Sequence, residues 1–378
     1  MTRRPAIRLA RFGYESVARP LIFRQDAQTV HRRLLRILAA LDSSDWVNRR
    51  LAAVGRGMAA PFGRAVGGVK LDRACILAAG LVKGAGYGSE AEALAAVGRG
   101  HNVMPGWRCV PSLVGLVEYG SFTRYPREGN PGVVLWRDAT TQSTQNRVGL
   151  KNPGARAAAA FLSARRNQLP SQYGINIAVS PGVTIPDQER REVIESLQAF
   201  IDLRVIPTWF TLNLSCPNTE DDPEGHQTAV QARDLCRAII HELRAAGTDC
   251  PLWVKIGPNL SDAQYEGLLA VFEEVGVRAV IATNTIALPA PGQPDIQAGV
   301  GGARLRDYSL AAVRKLMEEK RRRGYTVDII GCGGVLDGAS LHQYRTLGVQ
   351  VVQYWSALVF RGPLAAAIIE AEAEDYDG

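Results

Sequence analysis

The chain has 378 residues, 46% hydrophobic and 21% charged, with 38 glycines and 20 prolines; this globular composition excludes a disordered or fibrous protein and leaves room for one large barrel plus an accessory segment. Its six cysteines form no Cys-x-x-Cys pair, which argues against a zinc ribbon or a disulfide framework and for reduced thiols. The net charge of +7 is uneven: residues 1–64 carry 13 arginines, no lysine and 4 acids, so that end holds +9 and the remainder sums to −2.

A basic end on a near-neutral body points to an anionic partner local to that end. A membrane surface is favoured over nucleic acid, because a nucleic-acid enzyme more often spreads its basic surface around the active site. Charges at Arg3, Arg4, Arg8, Arg11, Glu15, Arg19 and Arg24 leave no apolar run for a secretory signal, and no stretch reads as a transmembrane helix. The location implied is cytoplasmic and peripheral, on the inner face of the membrane. Residues 28–42 read as an amphipathic helix with Val30, Leu34, Ile37, Leu38 and Leu41 on one face and Arg32, Arg33 and Arg36 opposite. A second helix follows the capping cluster Ser43-Ser44-Asp45, with Trp46, Val47, Leu51 and Val54 along one side. A reading of equal weight packs both helices on the body with their arginines solvated. Residues 1–64 are set apart as a basic helical extension, and 65–378 as the body.

From about residue 75, short apolar runs alternate with amphipathic helical stretches. Strands are expected at 75–80, 113–119, 173–179, 209–215, 252–257, 279–284, 327–331 and 350–354. Helices are expected near 89–98, 153–166, 188–203, 227–246, 261–275, 308–323, 339–347 and 363–372. Eight of each predicts an α/β fold, a (β/α)8 TIM barrel with an N-terminal helical extension. A doubly wound sheet would need a Gly-x-Gly-x-x-Gly turn, and Ser89 stands where the third glycine belongs. Residues 120–150 read as a hairpin above the barrel, with strands near Val133–Trp136 and Gln145–Val148. The pattern gives no role for residues 99–112.

Strand ends converge on one site in such a barrel. Here they supply Ala79, Gly80 and Lys83, then Asn176, then Asn213 through Asn218, then Lys255, then Thr283, Asn284 and Thr285, then Gly333 and Gly334, and finally Ser356. Neutral amides suit a ligand with imide and carbonyl edges, such as a pyrimidine or a flavin. Two lysines suit an anion, and the paired glycines suit a phosphate. The five histidines have no metal-ligand spacing and, His226 apart, are read as structural or solvated.

These segments resemble one family, the flavin-dependent dihydroorotate dehydrogenases of pyrimidine synthesis. The resemblance rests on Ala78-Ala-Gly-Leu-Val-Lys83, Arg127-Glu-Gly-Asn-Pro131, Asn146-Arg-Val-Gly-Leu150, Asn213-Leu-Ser-Cys-Pro-Asn218, Ala282-Thr-Asn-Thr285 and Ile330-Gly-Cys-Gly-Gly334 in this order. Arg19-Pro-Leu-Ile-Phe-Arg24, followed by Asp26, His31 and the basic helix, is similar to the quinone-using, membrane-associated branch. The resemblance implies oxidation of dihydroorotate to orotate with hydride transfer to FMN and reoxidation by quinone. It assigns substrate contacts to Asn146, Asn213, Asn218, Asn284 and Thr285, and proton abstraction to Cys216. FMN contacts fall on Ala79, Gly80, Lys83, Ser121, Asn176, Lys255, Thr283, Gly333, Gly334 and Ser356. The sequence departs from the quinone branch at Cys216, where that branch normally has Ser, and at Leu150 in place of Phe, and from the family's usual Tyr at Trp355. Two alternatives stay open: a related flavoprotein acting on another substrate, and a non-catalytic module that binds a membrane surface or a partner.

Overall fold

The computed structural model describes residues 3–214 and 229–376. Among them, eight parallel strands form the barrel: β1 (Cys75–Leu77), β2 (Glu118–Phe122), β3 (Gly174–Ala178), β4 (Trp209–Asn213), β5 (Leu252–Ile256), β6 (Ala279–Ala282), β7 (Asp328–Cys332) and β8 (Val352–Tyr354). From β2 to β8 each strand pairs in parallel with the next, and β8 returns to β1 in parallel register. A bridge between Leu77 and Val117 closes the ring. The sheet is therefore the expected (β/α)8 barrel. Seven of the eight strands are buried at every residue, and β7 at every residue but Asp328, as strands wrapped by helices require. Trp209 and Trp253 stack inside at 4.4 Å, at the end where the strands begin.

The helices follow the apolar periodicity closely, within two or three residues at each end. Two regions differ from expectation. The predicted strand 113–119 is a short helix at Cys109–Val114, ended by Gly115 in a left-handed conformation (φ +86°), followed by β2 five residues late. Leu113 and Val114 read as strand residues because the group that caps this helix, Asp42, lies far away in sequence: its carboxylate accepts from the backbone N–H of Gly106, Arg108 and Cys109. The hairpin at 120–150 exists, with strands Leu135–Asp138 and Ser143–Asn146. It joins a second hairpin, Ile286–Ala290 with Gln293–Gly302, into a four-stranded antiparallel sheet over the C-terminal mouth of the barrel.

Residues 3–58 are mostly helical: α1 (Arg3–Phe12), a π-helical turn (Gly13–Ala18), α2 (Arg19–Phe23), α3 (Ala27–Asp42) and α4 (Asp45–Met58). Asp26 and Ser44 cap α3 and α4 by accepting from Thr29 N–H and Val47 N–H. The helix Cys109–Val114, here α5, packs against both. No helix among the described residues is long and apolar enough to cross a membrane. The N-terminal charge is partly tied down, because Arg3 and Arg4 pair with Glu374 and Asp375, and Arg11 with Glu15 and Glu372.

Candidate active site

The strand ends bring the predicted polar residues to one cavity of about 540 Å³ at the C-terminal mouth. Ala79, Gly80 and Lys83 follow β1, Ser121 lies in β2, Asn146 comes from the upper sheet, and Asn213 ends β4. Lys255, Thr283, Asn284, Thr285, Gly333, Gly334 and Ser356 complete the same wall. Their side chains hold one another in place. Asn284 Nδ2 donates to Asn213 Oδ1 at 3.4 Å, Asn213 Nδ2 to Ser121 Oγ at 3.5 Å, and the Asn284 amide oxygen accepts from Thr285 N–H. Thr283 Oγ1 shares a hydrogen bond with Ser309 Oγ (2.7 Å), and Ser356 Oγ shares one with Thr144 Oγ1 (2.6 Å). Gly80, Gly333 and Gly334 all have positive φ, which an L side chain would strain.

Asn176 is placed differently. It does not line the cavity but sits fully buried on β3, donating from Nδ2 to Glu118 Oε1 at 2.7 Å. Cys216 and Asn218 lie outside the described residues, as does His226. Two further residues were missed: Glu118 on β2 and Gln353 on β8, which link through hydrogen bonds to Lys255. Their signal was a charged and an amide side chain inside otherwise apolar core strands.

The cavity's other half is an apolar channel. The whole predicted apolar face of α3, Val30, Leu34, Ile37, Leu38 and Leu41, lines it, whereas of the predicted α4 side only Leu51 does. Trp46 does not, being 61% exposed on the outer surface with Arg50 over its ring. The wall is completed by Cys109, Val110, Leu113 and Val114 of α5, so the stretch at 99–112, which the sequence left without a role, leads into this lining. His31, read from sequence as structural or solvated, also faces the channel. Burial, with Lys83 and Lys151 nearby, pushes its imidazole down to about 4, so it is neutral at pH 7. Arg137 donates to the carbonyls of Ile22 and Gln25 and stacks 4.2 Å from the Phe23 ring. Trp355 and Gly80 lie where the polar and apolar halves meet, and a Cβ on Gly80 would stand 3.4 Å from the indole Nε1.

The residues fit a ligand that brings N–H donors and negative charge. Thr285 Oγ1, on the cavity wall, and Asn176 Oδ1, behind it, are buried acceptors with no protein partner. Lys255 and Lys83 supply cations on the same wall.

Residues 108–376 match the family model described as dihydroorotate dehydrogenase. The chain belongs to the dihydroorotate dehydrogenase family. It is 30% identical over 365 residues to the dihydroorotate dehydrogenase (quinone) of Chromobacterium violaceum, covering 91% of this chain and 93% of that protein. It is 31% identical over 359 residues to the enzyme of the same name from Bordetella parapertussis, covering 92% and 93%. The ligand-free dihydroorotate dehydrogenase of Eimeria tenella superposes with a TM-score of 0.69 at 22% identity, over 87% of this chain and 92% of that one.

Proposed function

We propose that this chain is an oxidoreductase that binds FMN, oxidises dihydroorotate to orotate in pyrimidine biosynthesis, and delivers the electrons to a quinone. The observation that carries this reading is the continuity of the cavity, which runs from the amide-lined barrel mouth to the apolar channel between α3, α4 and α5 without a dividing wall. A polar substrate and a greasy acceptor would need opposite environments around one redox centre, and this cavity offers both.

In this reading Lys83, Ser121, Lys255, Thr283 and Ser356, with the backbone around Ala79, Gly80, Gly333 and Gly334, hold FMN, and Asn176 contributes from behind. When bound, the flavin supplies the two-electron acceptor that the oxidation needs. Asn146, Asn213, Asn218, Asn284 and Thr285 orient the substrate's carbonyl and N–H edges, each amide offering one acceptor and two donors. Lys255 and Lys83 place positive charge where the reaction accumulates electrons. Cys216 removes the C5 proton, and the channel residues exclude water from the acceptor's path. Residues 1–64 form the acceptor-binding and membrane-facing part, and 65–378 the flavin barrel, with the protein resting peripherally on the inner membrane surface.

The test is direct: purified protein is examined for bound flavin, then given dihydroorotate without oxygen. Bleaching of the flavin, reversed by a short-chain ubiquinone, is expected. Protein that cannot be loaded with flavin, or whose flavin stays oxidised, refutes the proposal.

A further inference from the structure

A barrel of this kind ordinarily fills its interior with branched apolar side chains. Here four buried polar side chains from β2, β3, β5 and β8 meet inside it: Glu118, Asn176, Lys255 and Gln353. Their hydrogen bonds have only one consistent direction. An ammonium donates and never accepts, so the Gln353 atom 3.0 Å from Lys255 Nζ is the amide oxygen. The Gln353 NH2 group must then face the other way, and it donates to Glu118 Oε2. The second Glu118 oxygen accepts from Asn176 Nδ2. With an acceptor bond at each oxygen, Glu118 is wired as a carboxylate.

The line Lys255–Gln353–Glu118 therefore joins a buried cation to a buried anion through one neutral amide. Lys255 and Gln353 line the cavity, whereas Glu118 lies behind them. The thiol of Cys332 also lies beside Lys255, but burial pushes it up and keeps it protonated, so it brings no charge. A buried ammonium without a counter-charge is costly, and in a low-dielectric interior an anion two hydrogen bonds away still offsets much of its field.

We propose that Glu118, acting through Gln353, is a positioning residue that aims the Lys255 ammonium at the cavity and sets how much positive charge a ligand there meets. For a bound flavin, Glu118 then holds the reduction potential below the value Lys255 alone would impose. This second part rests on the FMN reading above, while the first part does not.

Two variants with opposite charge changes test it. Glu118→Gln removes the anion at constant shape, and Gln353→Glu places an anion directly on Lys255. The flavin midpoint potential should move positive in Glu118→Gln and negative in Gln353→Glu. Combining Glu118→Gln with Lys255→Met should erase the positive shift, because the charge being offset is gone. A merely structural role would lower flavin occupancy or melting temperature in both variants without opposed shifts in potential. The apoprotein gives a reading independent of flavin: the Lys255 amine, followed by NMR after reductive 13C-methylation, should titrate at lower pH in Glu118→Gln and at higher pH in Gln353→Glu. Unchanged or same-sign shifts in the amine titration overturn the proposal. If the amine shifts as expected while the protein takes up no flavin, the wiring stands and the FMN reading falls.

Discussion

A thiol is a demanding choice for removing a proton from carbon, since free cysteine has a pKa of about 8.5 and only the thiolate is basic enough. Cys216→Ala should keep flavin and substrate binding while slowing anaerobic flavin reduction by about 10²–10⁴-fold, and stopped-flow reduction at the parental rate would remove Cys216 from the role. A second titratable residue makes a stability prediction. His31 is held near 4 in the folded chain, below the roughly 6.5 of an unfolded chain. The unfolded state thus takes up a proton first, so His31 lowers stability as pH falls from about 6.5 to about 4 and adds nothing further below that. Urea midpoints should drop more steeply across this window in the parent than in His31→Gln; parallel slopes would show that the imidazole is not buried neutral. At this scale the sequence was most legible where chemistry sits at strand ends, because β-strand boundaries alone bring Asn213, Lys255 and Asn284 to one mouth. It was least legible for Glu118 and Gln353, whose meaning depends on which strands face each other across the barrel.

Among the elements, α5 depends most on a single distant residue. Asp42, buried at the end of α3, accepts from Asn102 Nδ2 at 2.8 Å and from the N–H groups of Gly106 (2.7 Å), Arg108 (3.1 Å) and Cys109 (2.9 Å). It satisfies donors at the start of α5 and just before it, where a helix cannot satisfy its own N–H groups. Asp42→Ala strands these buried donors and should cost on the order of 3 kcal/mol in urea unfolding. Because α5 lines the channel, the same variant should raise the KM for quinone more than it slows flavin reduction; equal effects on both half-reactions would separate α5 from the acceptor path. This non-local cap also explains the one misplaced strand. Helices such as Asp262–Val275 carry their own capping box, Ser261 with Gln264, and were legible to within a residue. The helix at 109–114 carries no cap of its own, and its apolar run reads equally well as strand. The second hairpin of the upper sheet was missed for a related reason: Gly299 through Gly302 pair with Ser143 to Asn146, a partner some 150 residues away.

At the scale of the whole molecule, exposed apolar side chains are concentrated where the exposed arginines are. Of the sixteen exposed large hydrophobic residues among the described ones, seven (Leu9, Phe12, Val17, Leu21, Ile37, Trp46 and Val54) lie in the first 54 residues, far more than that segment's share of the chain. The same helices expose Arg8, Arg24, Arg32, Arg33, Arg36, Arg49, Arg50 and Arg56. The ion pairs of Arg3, Arg4 and Arg11 with the acidic C-terminal residues fasten α1 to the barrel, so these arginines are committed to the body and the rest are left for a surface. Apolar side chains beside solvated arginines match the interface of an anionic bilayer, where each basic residue near the surface contributes about 1 kcal/mol. Replacing Arg32, Arg33 and Arg36 together by Gln should therefore weaken binding to vesicles containing anionic lipid by about 100-fold. Adding salt should weaken the parent in the same direction, because exposed charges are screened within about 10 Å at 0.1 M. Flavin reduction by dihydroorotate, measured in the same preparations, reports on the barrel mouth alone and separates loss of docking from loss of fold. Cosedimentation that is equally strong with neutral and anionic vesicles, or that ignores the three substitutions, would mean that these helices serve the channel only and that no membrane surface is read by their charge.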